Sequence, residues 1–156
     1  NGVAAGAGCS LALACDLRVA SEHASFIEVF VNVGLVPDSG STWTLPRLVG
    51  IGRAMEMCLT GKKVDAEEAL AIGLVNQVAP ADEFDDAVLK LATRLASLPN
   101  RALALTKRLL NQTFTNNLDE QLVQEAYAQE TAGRTHDHFE GVVSFIEKRK
   151  PKFTHE

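Results

Sequence analysis

The stretch NGVAAGAGCSLALACDLRVAS, residues 1–21, decides the fold prediction because it combines two kinds of local pattern. Glycines at positions 2, 6 and 8 interrupt short apolar runs and precede GCSLALACD, a run of good helix formers. LRVAS, at Leu17–Ser21, places the β-branched Val19 in an apolar run with small flanking residues, as in a buried strand. The predicted order is strand, Gly-rich turn, short helix and strand, which indicates an α/β fold.

The next segment, GLVPDSGSTWTLPRLVG at Gly34–Gly50, predicts a helix through STWTLPRLVG. Asp38 or Ser39 is expected to cap its first turn, because Asp and Ser accept hydrogen bonds from free backbone N–H groups. Gly50 is expected to end this helix, and Pro46 is expected to kink or terminate it. The same segment therefore offers Asp38 as an ordinary helix cap.

Further helices are predicted along the rest of the chain. GRAMEMCLTG, at Gly52–Gly61, ends in a glycine, and Asp65 is the expected N-cap of VDAEEALAIG, after which LVNQV fits a short strand. From residue 82 onward the pattern is helical throughout. The segments that fit helices there are EFDDAVLKLATRLASL, NRALALTKRLLNQTF, LDEQLVQEAYAQETA and DHFEGVVSFIEKR. The predicted organisation is an α/β part at residues 1–80 and a helical region at residues 81–156.

Composition bounds the class of protein. The 156 residues are 46% hydrophobic and 22% charged, which is typical of a globular domain and excludes a disordered chain. The net charge of −5 argues against nucleic acid or an anionic membrane as a partner. The cysteines form no CxxC pair, and no apolar run is long enough to span a membrane. We expect buried free thiols and a cytoplasmic protein.

The sequence begins with Asn1 and enters an apolar segment at once, so we expect a fragment or a processed chain. Among motifs with known chemistry, HExxH, GxxxxGK[ST] and GxSxG do not occur. His136 and His138 are two residues apart near the C-terminus and are interpreted as solvated side chains rather than metal ligands. The sequence therefore predicts no metal site.

Two features remain as candidates for chemistry, and each has a structural alternative. The run GVAAGAGCS offers backbone N–H groups at the start of a helix, which suits an anion or a developing oxyanion, but it also suits close helix packing. Asp38 is either a helix cap or an acid/base group. Neither stretch alone decides between these alternatives.

Five sequence segments, taken together and in order, are more specific than either of these stretches alone. The Gly/Ala run, ACDLRVAS, GLVPDSGSTWTLPRLVG, LTGKKVDAEEALAIGLVNQV and EGVVSFIEKRKPKF together resemble the enoyl-CoA hydratase/isomerase (crotonase) superfamily. The resemblance extends from Gly2 to Phe153 and matches the C-terminal three-fifths or so of a member. It implies a crotonase (ClpP-like) fold, with a repeated ββα core and a C-terminal helical region.

The resemblance implies an acyl-CoA thioester as substrate, whose carbonyl oxygen is held by two backbone N–H groups while an enolate forms. One of these donors matches Ala7, with Gly6 and Gly8 shaping the turn. The other is expected from a segment N-terminal to this chain. Because backbone groups activate the thioester, no metal or redox cofactor is implied.

Hydratases of this family use two glutamates, whose positions match Ser10 and Phe30 here. Since adding water across a double bond requires both water activation and proton delivery, ordinary hydratase chemistry is not expected. Glu28, two residues before Phe30, could compensate in a hydratase, but it is interpreted as a structural or surface carboxylate.

Asp38 matches the aspartate that some isomerases of the family carry in PDxGGT, among them the epoxyphenylacetyl-CoA isomerases of phenylacetate degradation. Here VPDSGSTW departs from that pattern at Ser41, where the second glycine would stand. One carboxylate suffices for isomerisation, because it takes a proton from one carbon and returns it to another. The resemblance therefore implies an isomerase with Asp38 as its acid/base group.

The terminal EKRKPKF implies a further contact, since this helix lies near the coenzyme A nucleotide in the family. Lys148 could pair with a phosphate there, or simply be a solvated cation at a helix end. The family also implies a homotrimer or a dimer of trimers. The alternatives to an isomerase are a hydratase with altered carboxylates and a non-catalytic member that binds acyl-CoA or acts only in assembly.

Overall fold

The computed structural model describes residues 1–155, which divide into two compact units. The first unit is Asn1–Lys90 and the second begins at Leu91. Among the described residues, no helix has both the length and the apolar composition needed to cross a membrane.

The first unit alternates short strands and helices, as the sequence predicts. Its strands are β1 (Val3–Ala5), β2 (Val19–Ser21), β3 (Ser25–Ile27), β4 (Lys63–Asp65) and β5 (Gln77–Ala79). Its helices are α1 (Ala7–Ala14), a 3-10 helix (Val29–Val33), α2 (Ser41–Val49), α3 (Ile51–Thr60) and α4 (Ala66–Ala71).

The strands form two small sheets. β3 lies in the middle of the first sheet, parallel to β1 with Val3 opposite Ser25 and antiparallel to β4 with Phe26 opposite Val64. β2 and β5 form the second sheet as a parallel pair. Since β1 and β3 are parallel and joined through α1 and β2, the loop after β1 and the loop after β3 emerge at the same edge.

The core of the first unit is apolar. Its most deeply buried large side chains are Leu13, Leu45, Met57, Val64 and Leu74. Burying a side chain of this size contributes about 1.5–3 kcal/mol, so this cluster is the main stabilising feature of the unit. It fixes α1, α2 and α3, each of which contributes to it.

Several helix ends confirm the sequence signals. Gly50 is the C-cap of α2, and Gly61 is the C-cap of α3 in the left-handed conformation. Asp65 caps α4, because its side chain accepts a 2.8 Å hydrogen bond from the Glu68 N–H. These signals act within one or two turns, which is why the sequence contains them.

One prediction about α2 is wrong, and of the two outcomes predicted for Pro46, a kink or the end of the helix, the end is excluded. The N-cap of α2 is Gly40, with φ +85°, and no side chain caps the first turn, so neither Asp38 nor Ser39 has that role. The helix also continues through Pro46 to Val49. It continues because Leu45 and Val49 are both buried in the core, which stabilises the turn around the proline.

The helical region follows as α5 (Phe84–Ala96), α6 (Asn100–Gln112), α7 (Leu118–Gly133) and α8 (His136–Ile146). α7 begins with a capping box, in which the Asn117 side chain and the Glu120 side chain each accept from the other's backbone N–H. Thr135 caps α8 by accepting from the His138 N–H. The predicted succession of helices is therefore confirmed.

Candidate active site

The turn before α1 is built on Gly6. Its φ of +52° with ψ −124° is a conformation that L side chains avoid, and a Cβ at this position would lie 3.4 Å from Val29 Cγ2. The Gly6 N–H donates a 2.9 Å hydrogen bond to the Ile27 carbonyl, so the end of β3 holds the turn. Glycine is therefore required here by both conformation and space.

This turn leaves backbone donors at the start of α1. Ala7 and Gly8 are its first residues and both are exposed. The first N–H groups of a helix have no partner within the helix, and they lie at the positive end of its dipole. An anionic oxygen could therefore bind at this helix start, where the resemblance implies a donor at Ala7 in a turn shaped by Gly6 and Gly8.

Ser10 and Phe30 occupy the two positions where the resemblance implies hydratase glutamates, and both have structural roles. The buried Ser10 hydroxyl donates to the Gly6 carbonyl at 3.2 Å. The Phe30 ring lies 3.7 Å from where a Gly6 Cβ would be. Both residues therefore support the Gly6 turn, and neither offers a carboxylate.

Asp38 lies in an exposed turn ahead of α2. Ser39 and Gly40 both have positive φ, +51° and +85°, and the Ser41 N–H donates to the Asp38 carbonyl at 3.0 Å, as in a type I′ turn. The Ser39 hydroxyl donates to Asp38 Oδ1 at 2.9 Å. The carboxylate is thus held lightly and is accessible to a ligand.

Glu28 is the carboxylate that sequence reasoning undervalued. It follows β3 directly and is 0% exposed, so the interpretation as a surface group is wrong. Its Oε2 accepts a long, 3.5 Å hydrogen bond from the Ser41 hydroxyl, and the Cys9 thiol lies close to the same carboxyl. Oε1 has no partner among the described residues.

Burial is the main cause that raises the pKa of Glu28 above its ordinary value of 4.5. Hydrogen bonds from Cys9 and Ser41 lower it, and the negative charge of Asp38 raises it. Burial also raises the pKa of the Cys9 thiol to about 12, helped by the charge of Glu28 and the hydrogen bond to it. Cys9 is therefore an unreactive thiol.

The two candidate features of the sequence are joined through Glu28. Cys9 belongs to the first turn of α1, and Ser41 is the first residue of α2. The Ser41 N–H donates to the Asp38 carbonyl at 3.0 Å, and the same carbonyl lies 3.1 Å from the Ser41 hydroxyl as its alternative acceptor. Glu28 thus contacts residues at the start of α1 and at the start of α2. A single glutamate inside the apolar run SFIEVFV was the only sequence signal of this carboxyl group.

Lys148, the predicted coenzyme A contact, belongs to the second unit. It is exposed, has φ +54° and directly follows α8 and its C-cap Glu147. The tail beyond it is fixed to α8, since Arg149 donates to both oxygens of Glu140 and the Thr154 N–H donates to Asp137 Oδ1 at 2.7 Å. The hydrogen bonds from Arg149 are the first cause that lowers the pKa of Glu140 to about 2.

Other predicted features can be checked in residues 1–155. His136 and His138 are exposed, as expected, and no cluster of metal-ligating side chains occurs in the described part of the chain. The three cysteines are free, but only Cys9 is buried, while Cys58 is half-buried and Cys15 exposed. Cys15 was expected to be buried; it lies at the exposed C-terminal end of α1.

Comparison with known proteins identifies the class of protein. The profile of the enoyl-CoA hydratase/isomerase family matches residues 1–156. The chain belongs to this family, and the predicted crotonase fold is confirmed by solved structures of the same fold.

Individual relatives are similar over almost the whole chain. A 1,2-epoxyphenylacetyl-CoA isomerase from Escherichia coli (strain K12) is 45% identical over 99% of this chain and 59% of the relative. A probable enoyl-CoA hydratase from Rhodobacter capsulatus is 44% identical over 99% of this chain and 60% of the relative. This chain therefore spans about three fifths of the length of these relatives, whose names include both an isomerase and a hydratase.

A solved structure agrees closely with the fold. The putative enoyl-CoA hydratase/isomerase from Mycobacterium abscessus superposes with a TM-score of 0.97 at 38% sequence identity. The match covers 100% of this chain and 60% of that structure.

Proposed function

We propose that this chain belongs to an acyl-CoA isomerase in which Asp38 transfers a proton and the Ala7 N–H stabilises the enolate. The observation that carries the proposal is that Ser10 and Phe30 occupy the two positions where a hydratase of the family has glutamates. Both support the Gly6 turn and neither has a carboxyl group, so the glutamate pair of a hydratase is missing. Asp38 remains as an exposed carboxylate on the turn ahead of α2, next to Ser41, which also contacts the buried Glu28.

The proposed reaction needs one acid/base group and one charge-stabilising site. The Asp38 carboxylate removes a proton from a carbon of the acyl chain, and the electron pair moves onto the thioester oxygen. The Ala7 N–H donates a hydrogen bond to that oxygen while it carries negative charge. Asp38 then returns the same proton to a different carbon, which shifts the double bond without a net gain or loss of atoms.

A hydratase is the second candidate, and the names of several relatives favour it. In this alternative Glu28 or a group outside this chain would activate the water. Full burial argues against Glu28 in that role, because added protein can only cover it further. Hydration of crotonyl-CoA that is lost in Glu28→Gln would favour the hydratase.

The decisive experiment compares wild-type full-length protein with Asp38→Asn in an assay of 3-enoyl-CoA to 2-enoyl-CoA isomerisation. Loss of the acid/base group is expected to lower kcat by about 10²- to 10⁴-fold. The name of the isomerase relative supports including 1,2-epoxyphenylacetyl-CoA as a substrate.

Asp65→Asn is the matched control, since Asn caps a helix about as well as Asp and Asp65 caps α4. It should leave kcat unchanged. Unchanged turnover in Asp38→Asn would overturn the assignment.

The remaining proposals concern assembly and ligand contacts. The exposed apolar side chains of the helices in the second unit, such as Leu118, Tyr127 and Phe145, support a homotrimer or a dimer of trimers. The exposed Lys148 is proposed to pair with a coenzyme A phosphate, and Lys148→Ala should raise KM a few-fold with little change in kcat. We propose catalysis without a metal or redox cofactor and, from the free thiols, a cytoplasmic location.

A further inference from the structure

The buried Glu28 carboxyl is not used by the proposed proton transfer. It is 0% exposed, and Oε1 has no hydrogen-bond partner among the described residues. Burying a carboxylate with incomplete hydrogen bonding is unfavourable, and a leucine or glutamine would avoid this cost. A specific role for the carboxyl group would account for it.

The contacts of Glu28 lie on the elements that carry the proposed site. The Cys9 thiol, two residues after Ala7, lies close to it on α1. The Ser41 hydroxyl on α2 has two possible acceptors for its one proton, Glu28 Oε2 at 3.5 Å and the Asp38 carbonyl at 3.1 Å. Glu28 itself follows β3, whose Ile27 carbonyl accepts from the Gly6 N–H. One side chain therefore contacts both turns and extends from the strand that fixes one of them.

We propose that Glu28, acting as a neutral carboxyl, is a positioning residue that holds the α1 turn and the Asp38 turn at a fixed separation. The inference rests on the proposed function, because the groups it positions are the Ala7 N–H and the Asp38 carboxylate. A neutral carboxyl has one oxygen that can accept, as Oε2 does from Ser41, and one O–H that can donate. The two groups must stay within a small tolerance of each other for proton transfer and enolate stabilisation to act together.

Ionisation of Glu28 would disturb this arrangement. The groups that face it are the Cys9 thiol on α1, Asp38 ahead of α2 and the Cys58 thiol on α3. None is a cation, so a negative charge on Glu28 would be uncompensated and would repel Asp38. Its raised pKa agrees with this.

The raised pKa of Glu28 also determines how the stability of the protein changes with pH. Because the pKa of Glu28 is higher in the folded protein than in the unfolded chain, its stabilising contribution is complete below its ordinary pKa of 4.5. That contribution is lost as the pH rises through the folded-state pKa. Glu28→Gln cannot ionise and should not show this loss.

The first measurement is the pH profile of isomerase turnover for wild type, Glu28→Gln and Glu28→Ala in the full-length protein. Wild-type kcat should decline as the pH rises through the raised pKa of Glu28, and Glu28→Gln should match wild type at the acid end and show no such decline. Glu28→Ala should lower kcat by about tenfold with KM nearly unchanged, since geometry and not binding is lost. Equal profiles in wild type and Glu28→Gln, or a wild-type kcat in Glu28→Ala, would overturn the inference.

The second measurement does not depend on activity. The unfolding midpoint of wild type should fall relative to that of Glu28→Gln as the pH rises, and parallel curves would overturn the neutral-carboxyl role. Glu22→Gln, an exposed glutamate ahead of β3, is the matched control and should parallel wild type. Failure of the Asp38→Asn test would reject the proposed function alone, and these unfolding curves would still decide the role of Glu28.

Discussion

The turn before α1 and the turn before α2 both use glycine at positive φ, but they are held in different ways. At Gly6 the support comes from other elements, because Ile27 accepts its N–H and the side chains of Val29 and Phe30 lie against it. At Gly40 a Cβ would meet nothing within 4 Å, and the turn is closed by its own Ser41 N–H on the Asp38 carbonyl.

This difference separates the two halves of the proposed site. The Gly6 turn belongs to the packed core, so the N–H groups after it are held rigidly. The Asp38 turn lies at the surface, and its link to the core runs through Ser41 and Glu28. In the proposed reaction, a lightly held carboxylate suits a group that must reach two carbons of one substrate.

The largest expected difference between the two regions is in thiol reactivity. Cys9 is a buried residue in the first turn of α1, and Cys15 lies at the exposed end of the same helix. With a pKa of about 12, Cys9 is thiolate in only about one molecule in 10⁴ near pH 8. Maleimide labelling followed by mass spectrometry should modify Cys15 at least about 100-fold faster than Cys9.

In denaturant the two thiols should react at similar rates, which controls for local sequence. Native labelling of Cys9 as fast as that of Cys15 would show that the α1 turn is open.

Gly6→Ala is expected to have the largest effect on stability. The added methyl group meets Val29 in a backbone conformation that alanine does not adopt. The free energy of unfolding should fall by about 3 kcal/mol, the upper end for a strained residue. Denaturant unfolding measures this, with Gly8→Ala as the control.

Gly8 has no neighbour within 4 Å of its Cβ position and no positive φ, so alanine there should be neutral or slightly stabilising. If Gly6→Ala were as stable as Gly8→Ala, the α1 turn would not be rigid.

Gly40→Ala measures the free-energy cost of placing alanine at positive φ where its methyl group meets no neighbouring atom. The φ of +85° is unfavourable for alanine, but the space around the Cβ is open. The expected loss is about 1 kcal/mol, which is smaller than at Gly6. Equal losses at Gly6 and Gly40 in the same unfolding experiment would show that packing around Gly6 contributes nothing.

Local signals in the sequence account for much of this fold. Gly50, Gly61 and Asp65 act within one turn of their own helices, and each was predicted at the correct place. β3 and β4 were not predicted, because each has three residues and its pairing joins residues far apart in sequence, such as Phe26 and Val64. Short strands of this kind are specified by the packing around them.

The site was predictable only in part. The Gly/Ala run places Ala7 and Gly8 at a helix start, as the sequence indicates. The cap at Asp38 failed because Ser39 and Gly40 adopt positive φ and delay the helix. Glu28 could not be recognised as buried, since its environment is made by Cys9, Ser41 and Cys58 from three separate helices.

The smallest effect is expected at Ser39, whose φ of +51° is unusual for a residue with a side chain. Ser39→Gly relieves that conformation but adds freedom to the unfolded chain, so the net change should be a stabilisation of about 0.5 kcal/mol or less. Ser39→Ala is the matched control, because both variants remove the hydroxyl that donates to Asp38 and only one keeps the Cβ. Their difference in unfolding free energy measures the backbone alone. A destabilised Ser39→Gly would mean that the Asp38 turn depends on the restricted backbone of Ser39. Both turns would then be rigid, the Gly6 turn through packing against the core and the Asp38 turn through its own local conformation.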